Sequence, residues 1–146
     1  MRTLEEIRAF LKDDHFAFDL CGIVIEAIGD GTAQCSMKLE QKHLNANGVA
    51  QGGAIFTLAD ICFTVAANSG GGMVVSRSAE IHYLRPGSGS CLHASAHRIS
   101  EGRTAGLFQV DVTDENGKQV AYAVITGFRV QPARSEQAVN MSKSSC

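Results

Sequence analysis

Charge is sparse in this sequence and evenly spread. No run of like charge among its 146 residues exceeds a pair, and 13 Lys and Arg stand against 15 Asp and Glu. A nucleic-acid surface needs a clustered basic stripe, so nucleic acid is excluded as a partner. Long apolar runs are missing too. None approaches the roughly 20 residues of a membrane-spanning helix. The acidic, amphipathic start MRTLEEIRAFLKDD lacks the basic-then-apolar order of a secretion signal. The expectation is a cytoplasmic protein with no membrane partner. Cysteines are few and unpaired in pattern: Cys21, Cys35, Cys62, Cys91 and Cys146 are odd in number, and none is spaced C-x-x-C. A disulfide framework and a zinc site are therefore disfavoured. The first four read as small buried hydrophobes, and Cys146 as the exposed end of a polar tail.

What is present is an ordinary globular composition, 45% hydrophobic. At this length a single domain buries roughly two-thirds of its unfolded surface without help from metals or disulfides. Fifteen glycines exceed the usual ~7%, and their clusters punctuate the chain. Thr3 with Glu6 forms a capping-box pattern, and Leu4, Ile7, Phe10 and Leu11 recur at helical spacing, which predicts a helix ending near Asp13 or Asp14. Residues 22–28 and the alternating 32–39 read as a hairpin around Gly29-Asp30-Gly31. Residues 40–52 read as a polar loop. The segment 53–68, GAIFTLADICFTVAAN, is apolar almost all round and reads as a buried helix, stopped by Gly70-Gly71-Gly72. Four more strands follow at 73–84, 90–100, 104–113 and 119–130. Met37 and Met73 read as core, and Tyr83 and Tyr122 as sheet packing.

The order α-β-β-α-β-β-β-β predicts one α+β domain over 1–131: a curved antiparallel sheet of about six strands wrapped around helix 53–68. Residues 132–146 read as a disordered polar tail. Such a sheet has open edges, which strand-edge dimerisation would cover.

Chemistry concentrates where the polar loop enters the apolar helix. A helix N-terminus presents unpaired N–H groups and partial positive charge, and Gly52-Gly53 allow close approach to that backbone. This is a ready oxyanion site. Asp60 lies about two turns further on among apolar residues. Helical spacing also places Thr57, Asp60, Thr64 and Asn68 on one stripe, so a solvent-facing Asp60 is equally compatible with periodicity.

The segment from Asn45 through Gly52-Gly53 to Leu58-Ala59-Asp60 resembles the signature of hotdog-fold acyl-CoA thioesterases of the phenylacetic-acid-degradation type. Asn68-Ser69 and Tyr83-Leu84-Arg85-Pro86-Gly87 also resemble that family, and the likeness spans about residues 1–130. The resemblance implies a hotdog fold and hydrolysis of an acyl-CoA thioester to free acid and coenzyme A. No separate cofactor is implied, since coenzyme A is part of the substrate. It makes Asp60 the nucleophile, or the base that activates water. Gly52 N–H polarises the thioester carbonyl, and Asn45 holds that carbonyl or orients the loop. Ser76 stands where relatives carry a water-positioning Ser or Thr. Thr64, one turn beyond Asp60, is a second candidate to hold that water. Gln51, Gly53 and Arg85 are candidate substrate contacts. In the family the site forms between two subunits, so a homodimer is implied, and a homotetramer of paired dimers is expected.

One position departs from the pattern. Relatives usually carry His before the Gly-Gly pair, and this chain has Gln51, which donates and accepts hydrogen bonds but does not titrate near neutrality. That difference motivates an alternative, a non-catalytic acyl-CoA binding module. A hydratase of the same fold would need an acid-base histidine, and His43 is the only one near the loop. His93 and His97 share a strand face near His82, but no carboxylate or cysteine at fitting spacing joins them, so no metal site is expected. Arg98 and Arg103, like Arg85, are open to phosphate contact.

Overall fold

The computed structural model describes residues 1–130; the tail expected at 132–146 lies outside the described residues. Helix α1 is Leu4–Leu11, with the Thr3–Glu6 capping box formed in both directions. It stops before Asp13 and Asp14. Asp14 instead accepts from the Ala17 N–H at 3.0 Å and starts a wide helical turn at Phe16–Leu20. Periodicity did not signal that turn, because five residues are too few to show it.

Strands β1 (Ile23–Gly29) and β2 (Thr32–Lys38) form the expected hairpin, and α2 (Gly52–Ala67) follows. Then come β3 (Met73–Tyr83), β4 (Cys91–Glu101), β5 (Ala105–Asp114) and β6 (Gln119–Val130). The six strands form one antiparallel sheet in the order β1-β2-β4-β5-β6-β3. The α+β, helix-wrapping architecture expected from the element order is the one observed.

Helix α2 lies across the sheet and touches all six strands. Ile55, Leu58, Ile61, Cys62, Phe63 and Val65 are buried on it. Small residues on the facing strands, Ala94, Ala96, Ala121 and Ala123, are buried too, and they let the helix seat closely. Phe63 meets Phe108 edge-on, with ring centroids 5.4 Å apart, the geometry that aromatic quadrupoles favour. Cys21, Cys35 and Cys62 are buried free thiols as expected; Cys91 is only half-buried.

The stripe expected along α2 breaks at its end. Asn68 is buried, and its side chain bonds both the N–H and the C=O of Val74. An amide offers a donor and an acceptor, so it pairs with the strand as a backbone unit does. Asn68 therefore joins the end of α2 to the start of β3.

The two sheet edges differ. On β1 a bulge interrupts the ladder between Ile25 and Ala27, and Arg8 donates to the Ile25 carbonyl at 2.5 Å. Both devices blunt an edge. On β3, eleven residues long, only Val74 is buried. Met73 and Val75 are each 44% exposed, so Met73 is not the core residue expected from its hydrophobicity: an edge strand has nothing above it within the chain to pack against.

Candidate active site

The loop before α2 is ordered by its own polar groups. Asn45 Oδ1 accepts from the N–H of Asn47 at 2.9 Å and of Val49 at 3.3 Å, closing a local turn. Leu44 and Ala50 pair across it. His43 is buried. Its Nδ1 accepts from the Glu40 N–H, which leaves the proton on Nε2, facing the Cys21 carbonyl at 2.8 Å. Both nitrogens are thus committed to backbone, a holding role rather than proton transfer.

Gln51 is the N-cap of α2. Its Oε1 accepts from the Gly53 N–H at 2.5 Å, satisfying one orphan donor of the first turn. The Gly52 N–H has no acceptor among the described residues. The Gly52 carbonyl is fixed from outside the helix, by the Tyr83 hydroxyl at 3.0 Å. A Cβ on Gly52 would stand 3.3 Å from Tyr83 Cζ, a tight contact that the Tyr83 ring would have to relieve by shifting a few tenths of an ångström. Tyr83 is 50% exposed and reaches off the end of β3 to the start of α2. This corrects its reading as sheet packing. The sequence carried no signal for it beyond its place at the strand end.

We expect Tyr83→Phe to cost about 0.5–1.5 kcal/mol of local stabilisation, the net value of one hydrogen bond. Hydrogen exchange at the first turn of α2 should accelerate while the global unfolding midpoint barely moves.

Asp60 is half-buried, and its Oδ1 is shielded from solvent with no hydrogen-bond partner among the described residues. Burial pushes its pKa above the ordinary aspartate value, the nearby Asp14 carboxylate pushes it further, and the Ser76 side chain beside it pulls down. Ser76 stands next to a bulge at Arg77 on β3, a device that re-aims side chains near functional sites. Thr64 donates its hydroxyl proton to the Asp60 main-chain carbonyl at 2.8 Å. Only its oxygen lone pairs are left to face a water.

These shifts set a pH dependence. If activity needs ionised Asp60, it falls as pH drops through a pKa raised above 3.8. Asp14→Asn removes a like charge and should move that acidic limb to lower pH. Ser76→Ala removes a group that favours the ionised form and should move it to higher pH. Profiles of kcat/KM against pH for the two variants check both signs.

The structure thus groups the candidates in two places. Gln51, Gly52, Gly53 and Tyr83 stand at the helix start; Asp60, Thr64 and Ser76 stand two turns along. Eight residues of helix separate Gly52 from Asp60, about 12 Å at 1.5 Å per residue. Arg85 is exposed, just past β3, and makes no ion pair among the described residues. The other histidines gather no ligand set: His82 bonds Glu80 and stacks on Tyr122. No group of three or more His, Cys, Asp or Glu among the described residues is placed to hold a metal.

Comparison with known proteins decides the family. The profile of the thioesterase superfamily matches residues 47–121, about half of the chain, from the ordered loop through α2 into β6. The chain belongs to the thioesterase superfamily. The acyl-coenzyme A thioesterase PaaI of Escherichia coli K12 is 34% identical over 121 residues, covering 82% of this chain and 86% of that one. Among solved structures, the E. coli PaaI protein from the phenylacetic acid degradation operon superposes with a TM-score of 0.82 at 28% identity, covering 86% and 91% of the two chains. A thioesterase protein of Streptococcus pneumoniae solved with coenzyme A superposes with a TM-score of 0.77 at 31% identity, covering 83% and 97%. In this thioesterase the family likeness spans both clusters of candidate residues, and its architecture is the hotdog fold.

Proposed function

We propose that this thioesterase hydrolyses acyl-CoA thioesters at a site shared by two copies of the chain. The observation that carries the reading is the pairing of a free Gly52 N–H at a capped helix start with a half-buried Asp60, whose Oδ1 is shielded and unpartnered, about 12 Å away on the same helix. One thioester cannot touch both in one chain, since the carbonyl oxygen and the attacked carbon are adjacent atoms. Two chains related by a two-fold axis bring the helix start of one to Asp60 of the other. The unpaired β3 edge, which carries Ser76, is the surface that would join them.

In this reading the Gly52 N–H donates to the thioester oxygen, where negative charge develops. Asp60 accepts a proton from water as that water adds to the carbonyl carbon, and Ser76 orients it. Collapse of the tetrahedral intermediate breaks the C–S bond. Coenzyme A leaves as a thiolate, a much better leaving group than an alkoxide, so no strong acid is needed; the acid product ionises, and Asp60 returns its proton to solvent. A raised pKa improves Asp60 as a base near neutrality, which favours water activation over direct attack by the carboxylate. Gln51 fits as it stands. Its oxygen caps the helix and its amide N–H groups remain free to face the ligand, so no titrating group is needed there. Asn45 serves by shaping the loop.

The test is thiol release from a panel of acyl-CoAs by the wild-type chain. Release supports the reading. Binding of acyl-CoA without release from any substrate would identify the non-catalytic binding module.

A further inference from the structure

A groove of about 410 Å³ opens beside the first turn of α2, between that turn and the wide helical turn at Phe16–Leu20. Its volume lies in the range of small-ligand pockets. One wall is Gln51, Gly53, Ala54 and Thr57; the other is Phe16, Leu20 and Cys21. Phe16 and Leu20 are 59% and 56% exposed. Two large apolar side chains held side by side in water on so short a turn need an explanation in terms of what covers them.

Apart from the Gln51 amide N–H groups at the helix start and the Lys42 ammonium at the rim, the polar groups of the lining are already engaged inside the chain. His43 has both ring nitrogens on backbone partners. Gln51 Oε1 is taken by the Gly53 N–H, and the Thr57 hydroxyl donates to the Gly53 carbonyl at 2.7 Å. Lys42 at the rim lies 3.4 Å from Glu40. A polar ligand entering here would give up water and find few replacements, at a cost for each unpaired group. An apolar ligand loses nothing. The groove also starts where the reaction would start: Gln51 and Gly53, on either side of the free Gly52 N–H, both line it.

We infer that this groove receives the acyl chain of the thioester, and that the substrate class is unsubstituted apolar acyl groups longer than acetyl rather than hydroxylated or carboxylated ones. The thioester oxygen lies on Gly52 N–H, the acyl carbons run along Ala54 toward Leu20 and Phe16, and the amide-bearing arm of coenzyme A leaves in the other direction. This inference rests on the thioesterase reading of the same site.

The experiment compares wild type with Leu20→Ser and Phe16→Ser, exposed positions where substitution leaves the fold intact. Hydrolysis is followed for acetyl-, octanoyl- and adipyl-CoA. Binding of the corresponding non-hydrolysable octyl and ethyl thioethers of coenzyme A is followed by calorimetry. Wild type should prefer octanoyl over both others. Each variant should lose about tenfold or more in kcat/KM for octanoyl-CoA, the worth of one buried apolar side chain. Acetyl-CoA should change less than about twofold. The octyl thioether should lose affinity by the same factor as the octanoyl substrate.

Equal losses on acetyl and octanoyl substrates, with weaker inhibition by free coenzyme A, would assign the groove to the coenzyme A arm and overturn the inference. A changed oligomeric state in Leu20→Ser would make the face an interface and overturn it as well, as would unchanged kinetics on all substrates. The thioether titration needs no turnover. It therefore reads the groove even if the proposed chemistry at Asp60 is wrong, and failure of the chemistry appears separately, as undiminished hydrolysis by Asp60→Asn.

Discussion

Asp60→Asn should lower kcat/KM for thioester hydrolysis by about 10²–10⁴-fold, the usual contribution of a positioned base, and should raise the unfolding midpoint at neutral pH. The two effects share one cause. Asp60 is held with one oxygen shielded and unpartnered, and burial raises its pKa. A group whose folded pKa is raised favours the folded state fully below its unfolded pKa and loses that contribution as pH rises through the folded value. At neutral pH the ionised carboxylate is therefore a cost to folding. Asparagine keeps the shape and removes the charge, so the variant gains at pH 7, and its advantage shrinks as pH falls toward 3.8. Thermal melts at several pH values, beside thiol-release assays, check both halves. A variant that is inactive and less stable at pH 7 would mean that Asp60 holds the fold together rather than bearing a strained charge for catalysis.

Mixing two inactive variants should restore activity. Gly52→Ala crowds a Cβ to 3.3 Å from Tyr83 Cζ beside the N–H that would face the thioester, and full loss of that oxyanion donor is worth about 10²-fold or more. Asp60→Asn removes the base. If each site takes its helix start from one chain and its carboxylate from the other, a heterodimer of the two variants has one site built wholly from wild-type halves and one doubly damaged. After subunit exchange half the dimers are mixed, so roughly a quarter of wild-type activity should return under two-fold symmetry. Sites contained within single chains would give none. The experiment reads whether the two halves of a site come from different chains, and needs no structure of the assembly.

The fold was legible because its main signals are strong and local. Helix α2 combines sixteen residues, an apolar girth and a three-glycine stop; β6 starts at Gln119 as expected. Short elements were not legible. The turn at Phe16–Leu20 exists because Asp14 caps Ala17 and because α2 offers a surface to lie beside, which is a tertiary cause. The candidate site was half legible. A motif locates Gly52 and Asp60, but periodicity could not decide whether Asp60 faces water, since Thr57, Asp60 and Thr64 are spaced as any exposed stripe is. What withdraws Asp60 from solvent comes from elsewhere in the chain, with Ser76 beside it on β3. Tyr83 was misread for the same reason: its partner, the Gly52 carbonyl, lies 31 residues away.

The side-chain amide of Asn68 has one more consequence. By clasping both main-chain groups of Val74, it makes the alignment of α2 with β3 independent of the residues between them. Gly71 and Gly72 hold left-handed backbone, with φ of +94° and +72°, that other residues rarely adopt, so the tolerant position is Gly70, where a Cβ would meet no heavy atom within 4 Å. This turn is thus a seam at which the chain can be lengthened, by a peptide or by relocated termini, with Ser76 still in place beside Asp60.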